Sequence, residues 1–143
     1  MAKRKETKYI AVHCAATPAG MDIGVKEIDR WHRTKGFLKI GYHFVVRRGG
    51  QLEIGRDEDE IGAHVQGYNA VSIGVCLVGG VDADDVSKAE NNFTEEQFST
   101  LRTLLERLQI QYPDAEVLGH RDFPDVAKAC PSFDVRAWLK STN

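Results

Sequence analysis

Apolar positions in this chain fall into short runs separated by polar, glycine-bearing stretches. Tyr9–Cys14 is an apolar run that carries His13 near its end, and it reads as a buried strand. Ala15–Gly24 follows as a loop punctuated by Pro18 and Gly20. The period then changes. Val25, Ile28, Trp31, His32 and Lys35 share one helical face, which predicts a helix over Val25–Lys35 with Gly36 as its stop. Gly41–Arg48 alternates, with Tyr42, Phe44 and Val46 on one side and His43, Val45 and Arg47 on the other. Gly49-Gly50 predicts a hairpin turn into Gln51–Ile54. Val71–Val78, rich in β-branched residues, predicts a central strand. Thr94-Glu95-Glu96-Gln97 is a capping-box pattern. It opens a long helix with Phe98, Leu101, Leu104, Leu105 and Leu108 inward, ending near Tyr112-Pro113. Glu116–Gly119 is a short strand, and Asp134–Lys140 a closing helix that buries Val135 with Trp138 or Leu139.

This order predicts an α/β (α+β) fold, a central mixed β-sheet flanked by helices. The 143 residues suit one core, hence a single domain over 9–143 after a basic tail, 1–8. Gly55–Ala70 has no strong period and carries His64 and Asn69. A loop this long in a small domain is more often functional than accidental. Gly79–Asn92 is a second loop, polar and acidic.

Composition narrows the function classes. A formal net charge of -2 argues against a dedicated nucleic-acid or polybasic membrane binder. The one basic cluster, Lys3, Arg4, Lys5 and Lys8, reads as a solvated tail. Arg56 and Asp57 read as a surface ion pair. No stretch approaches the roughly 20 apolar residues of a membrane span. The start of the chain does not fit a signal peptide, so synthesis in the cytoplasm is expected. Three cysteines cannot all pair; Cys14 and Cys76 lie in apolar runs and read as small buried residues, whereas Cys130 lies in a polar loop.

The chain has no His-Glu-x-x-His helix, Gly-x-Ser-x-Gly elbow, Cys-x-x-Cys pair or phosphate loop, so dispersed residues must carry any chemistry. Five histidines are available, His13, His32, His43, His64 and His120, and composition does not choose among them. A thiol hydrolase with Cys14 or Cys130 as nucleophile is disfavoured; at Cys14, strand alternation turns it and His13 to opposite faces.

Ordered motifs do choose. Val12-His13-Cys14-Ala15-Ala16-Thr17, Trp31-His32 and Gly41-Tyr42-His43-Phe44 are followed by Gly62-Ala63-His64 and Gly67-Tyr68-Asn69. Then come Ser72-Ile73-Gly74-Val75-Cys76-Leu77-Val78-Gly79-Gly80, Gly119-His120-Arg121-Asp122 and Ala127-Lys128-Ala129-Cys130-Pro131. In this order they resemble the amidase/peptidoglycan-recognition-protein family, and within it the small zinc amidases of short-tailed coliphages. The resemblance covers about residues 9–139.

That resemblance implies an N-acetylmuramoyl-L-alanine amidase, a phage or prophage endolysin. It implies one Zn2+ per chain, with His13, His120 and Cys130 as metal ligands and an open fourth position. Tyr42 matches a tyrosine beside the reacting water, and Lys128 a lysine needed for catalysis. His64 and Asn69 are candidates for the substrate groove; His32 and His43 are expected to be structural. The implied partner is peptidoglycan, without nucleic acid, and the expected state is a monomer that reaches the wall after membrane permeabilisation. Two other readings share the fold. One is a non-catalytic peptidoglycan-binding module, though such proteins typically lose the cysteine that Cys130 supplies here. The other is an inhibitor of phage RNA polymerase, with Met1–Lys8 as candidate contact.

Overall fold

Strand β1, Tyr9–Cys14, is buried along nearly its whole length. The computed structural model to which it belongs describes residues 2–141; Met1 of the expected tail and Thr142 and Asn143 of the expected domain lie outside the described residues. After β1 come helix α1 (Val25–Thr34), strands β2 (Phe44–Val46), β3 (Leu52–Ile54) and β4 (Ser72–Leu77), helix α2 (Glu95–Gln111), strand β5 (Glu116–Gly119) and helix α3 (Val135–Ser141). The five strands form one mixed sheet in the order β3-β2-β4-β1-β5. β1 pairs in parallel with β4 and β5, β4 pairs in parallel with β2, and only β2–β3 is antiparallel. Parallel strands covered on both faces read as continuous apolar runs, which is why β1 and β4 stood out in the sequence.

The two faces are built differently. Ile10, Val12, Ile73, Val75 and Leu77 meet Leu101, Leu104, Leu105 and Leu108 of α2 and Val135 of α3 in the larger cluster. On the other face Ile28 of α1 packs with Val45 and Cys76, and Ala11 packs with Val65, Leu118 and Phe123. His13 alternates with Ala11 and so belongs to this second face. Among the described residues no helix is long and apolar enough to cross a membrane.

Several expectations are altered by tertiary contacts. The strand expected over Gly41–Arg48 is regular only over Phe44–Val46. Phe44 and Val46 face α2, while Tyr42 packs with Val45 on the α1 side, so the predicted alternation fails at Tyr42. The cause lies upstream. Asp29 and His32 of α1 accept the backbone N–H groups of Ile40 and Gly41 at 2.8 and 2.9 Å, which turns the chain before the strand begins. Arg56 is buried and donates to the carbonyls of Ile40 and Ile61, so it is not half of a surface ion pair with Asp57. Lys35 is exposed beyond the end of α1.

Residues 2–8, expected as a solvated tail, are docked. Arg4 donates to the carbonyls of Glu58 and Glu60, and Ile61 N–H donates to Ala2. Lys8 bridges Val71 and Glu116 through its backbone.

Candidate metal centre

The chemistry collects at the C-terminal ends of β1 and β5. Open parallel sheets bind ligands there, where strand ends leave a crevice between diverging loops. His13 lies near the end of β1, 1% exposed, and His120 directly follows β5. Their rings lie 4.5 Å apart between centroids. Cys130 arrives on the loop before α3, where Arg121 N–H donates to its carbonyl at 2.8 Å and the Cys130–Pro131 peptide is cis. One donor atom from each of His13, His120 and Cys130 lies within 4.8 Å of the others.

Two imidazoles and a sulfur suit a borderline-soft cation such as zinc, and three protein donors leave a fourth position for water or substrate. The local electrostatics fit. Burial, then the neighbouring His64, His120 and Lys128, lowers His13 well below the ordinary imidazole value. Burial, then Lys128, lowers His120. Both rings are therefore neutral and carry a lone pair. Cys130 Sγ accepts the Cys14 backbone N–H at 3.1 Å. The hydrogen bond it shares with the Cys14 thiol, together with burial, holds Cys130 well above the ordinary thiol value. A divalent cation at this point would release that proton.

Tyr42 lies beside the donors, its ring tilted against those of His13 and His32 at 5.0 and 5.3 Å between centroids. Burial raises its hydroxyl well above the ordinary phenol value, so it stays protonated. Lys128 is exposed on the rim, where its charge reaches both His13 and His120. Two cavities meet at His120 and Lys128. One is a groove of 790 Å³ between residues 63–69 and 124–128. The other, 230 Å³, is lined by Tyr42, Trp31, His32 and Cys130 among others.

His64 and Asn69 both line the larger groove, but much of their polarity turns inward. His64 Nδ1 lies 2.8 Å from His13 Nε2, and His64 Nε2 lies 3.2 Å from the Ser72 hydroxyl. Burial, ahead of the charge of His43, lowers His64 to about 3, so its ring is neutral. Asn69 Oδ1 accepts the backbone N–H groups of His64 and Val65 at 2.8 and 2.9 Å. His43 is fully buried, accepts Gly74 N–H at 3.0 Å and lies 2.7 Å from the Glu60 carbonyl. His32 holds Gly41. Both therefore have structural partners.

Sequence reasoning passed over Ser72 and Gly74. The available signal was a glycine inside an otherwise β-branched strand, which marks close approach by another group. A Cβ on Gly74 would lie 2.7 Å from His64 Cγ.

Comparison with known proteins bears on this geometry. The family model described as N-acetylmuramoyl-L-alanine amidase matches residues 3–133. The endolysin of Klebsiella phage KP32 is 53% identical over 136 residues, 95% of this chain and 87% of that protein. The solved N-acetylmuramoyl-L-alanine amidase LysC from Clostridium intestinale URNW superposes with a TM-score of 0.78 at 26% identity, covering 95% of this chain and 84% of its own. Drosophila PGRP-LB shares the fold, with a TM-score of 0.77 at 23% identity over 98% of this chain and 84% of its own.

Proposed function

This chain belongs to the N-acetylmuramoyl-L-alanine amidase family, and on that premise we propose how its residues hydrolyse the amide between N-acetylmuramic acid and L-alanine of peptidoglycan. It does so as an endolysin of phage or prophage type, as its similarity to the KP32 endolysin supports. The observation that carries the mechanism is the convergence of His13, His120 and Cys130 where two cavities meet.

His13, His120 and Cys130 would hold one zinc ion. When bound, zinc lowers the pKa of a water to about 7 and polarises a carbonyl. The groove between residues 63–69 and 124–128 receives the stem peptide, and the smaller cavity beside Tyr42 receives the lactyl end of the sugar. Asn69, with its Oδ1 committed to backbone, has its amide NH2 to offer a peptide carbonyl; His64 offers the groove part of its ring. Attack on the scissile carbonyl develops an oxyanion. Lys128, an exposed cation on the rim, is placed to stabilise it. Tyr42, kept neutral by burial, donates a hydrogen bond that orients the reacting water and can pass a proton towards the leaving amine.

Peptidoglycan is then the macromolecular partner, and the enzyme acts as a monomer on the wall once the membrane has been permeabilised. A non-catalytic module on this fold has no need of the thiol that Cys130 supplies. The polymerase-inhibitor reading has Met1–Lys8 as its candidate contact; within that segment Lys3 and Arg4 are engaged by residues 58–60 of the same chain.

The test is stem-peptide release from purified peptidoglycan, with and without a zinc chelator. New L-alanine amino termini without new reducing sugar ends, lost on chelation and restored by zinc, are expected. No release by folded, zinc-loaded protein would overturn the assignment.

A further inference from the structure

We propose that His64 is a positioning residue which, held by Ser72, dictates the ring nitrogen that His13 presents to the cation. This rests on the zinc reading above and extends it to a residue outside the ligand set.

Ser72, His64 and His13 form one hydrogen-bonded chain in which each proton can be placed. Ser72 is fully buried at the start of β4, and its hydroxyl donates to the Tyr68 carbonyl at 2.7 Å. A serine hydroxyl has one proton. Towards His64, 3.2 Å away, the Ser72 oxygen can only accept, so His64 Nε2 carries the ring proton. A neutral imidazole has one donor and one acceptor nitrogen. His64 Nδ1 is therefore the acceptor, and His13 Nε2, 2.8 Å from it, must be the donor. His13 Nδ1 is left with a bare lone pair. Metal-bound histidines commonly donate their second ring N–H to a partner that fixes tautomer and orientation. Here the partner is itself a histidine, oriented by a serine.

The fold holds the His64 ring for this task. A Cβ on Gly62 would come within 2.8 Å of its Cδ2, and one on Gly74 within 2.7 Å of its Cγ, so both glycines admit the ring. Asn69 accepts the His64 backbone N–H and fixes the loop that carries it.

The tautomers are read directly by two-bond 1H–15N NMR of the histidine rings in zinc-free wild-type protein. Nε2–H is expected on both His13 and His64. In zinc competition against a chromophoric chelator, His64→Ala is expected to weaken binding about 10- to 100-fold. His64→Asn, whose Oδ1 stands where Nδ1 stood, is expected to recover most of that loss. A nonspecific packing role would not be rescued in this way. A proton on His13 Nδ1 in the wild-type spectrum, or wild-type zinc affinity in folded His64→Ala, would overturn the relay. If His64→Ala fails to fold, the wild-type tautomer spectrum decides. Wild-type protein that binds no zinc would overturn the metal reading, whereas tight binding by both wild type and His64→Ala would overturn the relay alone.

Discussion

Cys130, as a thiolate once a cation is bound, would differ from a third imidazole in charge, and from a hydroxyl in its affinity for zinc. Cys130→Ser keeps the size of the side chain but exchanges a soft donor for a poor one. The expected outcome is at least a tenfold loss in zinc affinity, abolished hydrolysis and an unchanged circular dichroism spectrum, checked by chelator competition and peptide release. Lys128→Ala separates binding from chemistry. Lys128 is not a donor, so zinc affinity should hold while kcat falls about 100-fold, the scale of losing one oxyanion partner. Steady-state kinetics on soluble muropeptide would measure it. At this scale the sequence was legible where a motif marks a residue, as at His13, His120 and Cys130. It was not legible for Ser72, whose role is set by His64 and through it by His13, 51 positions from His64 in the chain.

Elements obeyed local rules wherever their determinants were local. Thr94 and Gln97 form the reciprocal cap expected from their spacing: Thr94 Oγ1 accepts Gln97 N–H at 3.1 Å and Gln97 Oε1 accepts Thr94 N–H at 3.0 Å. Thr94→Ala should cost about 1 kcal/mol, read as a lower urea midpoint at constant m-value. Gln97 does a second task that its spacing did not announce. Its Nε2 donates to the carbonyls of Val46 and Val78, tying α2 to the ends of two strand segments. The strand over residues 41–48 shows the opposite case. Its alternation was real in the sequence, but side chains from α1 capture the backbone at Ile40 and Gly41 and reset which way Tyr42 faces.

For the whole molecule, the acid side of the stability curve follows from buried neutral histidines. Burial lowers His43 to about 4, while an unfolded histidine titrates near 6.5. Between these values the unfolded chain binds a proton that the folded one refuses, so stability falls as pH drops from about 6.5 to about 4. His64 is lowered in the same direction, to about 3. From His43 alone the loss should be on the order of 3 kcal/mol, measured by urea denaturation of zinc-free protein at pH 7 and pH 4. By itself the sequence determined the main elements, the mixed α/β class and, through ordered motifs, the family and the three residues, His13, His120 and Cys130, whose donor atoms the fold brings together. These depend on period, capping and short motifs, which are properties of neighbours along the chain. The tertiary structure alone decided the strand order, the docking of residues 2–8, the burial of Arg56 and the inward turn of His64 and Asn69. Each of these depends on a partner distant in sequence, and it is the register of β1 against β4, not any local pattern, that brings His13, His64 and Ser72 into one chain of hydrogen bonds.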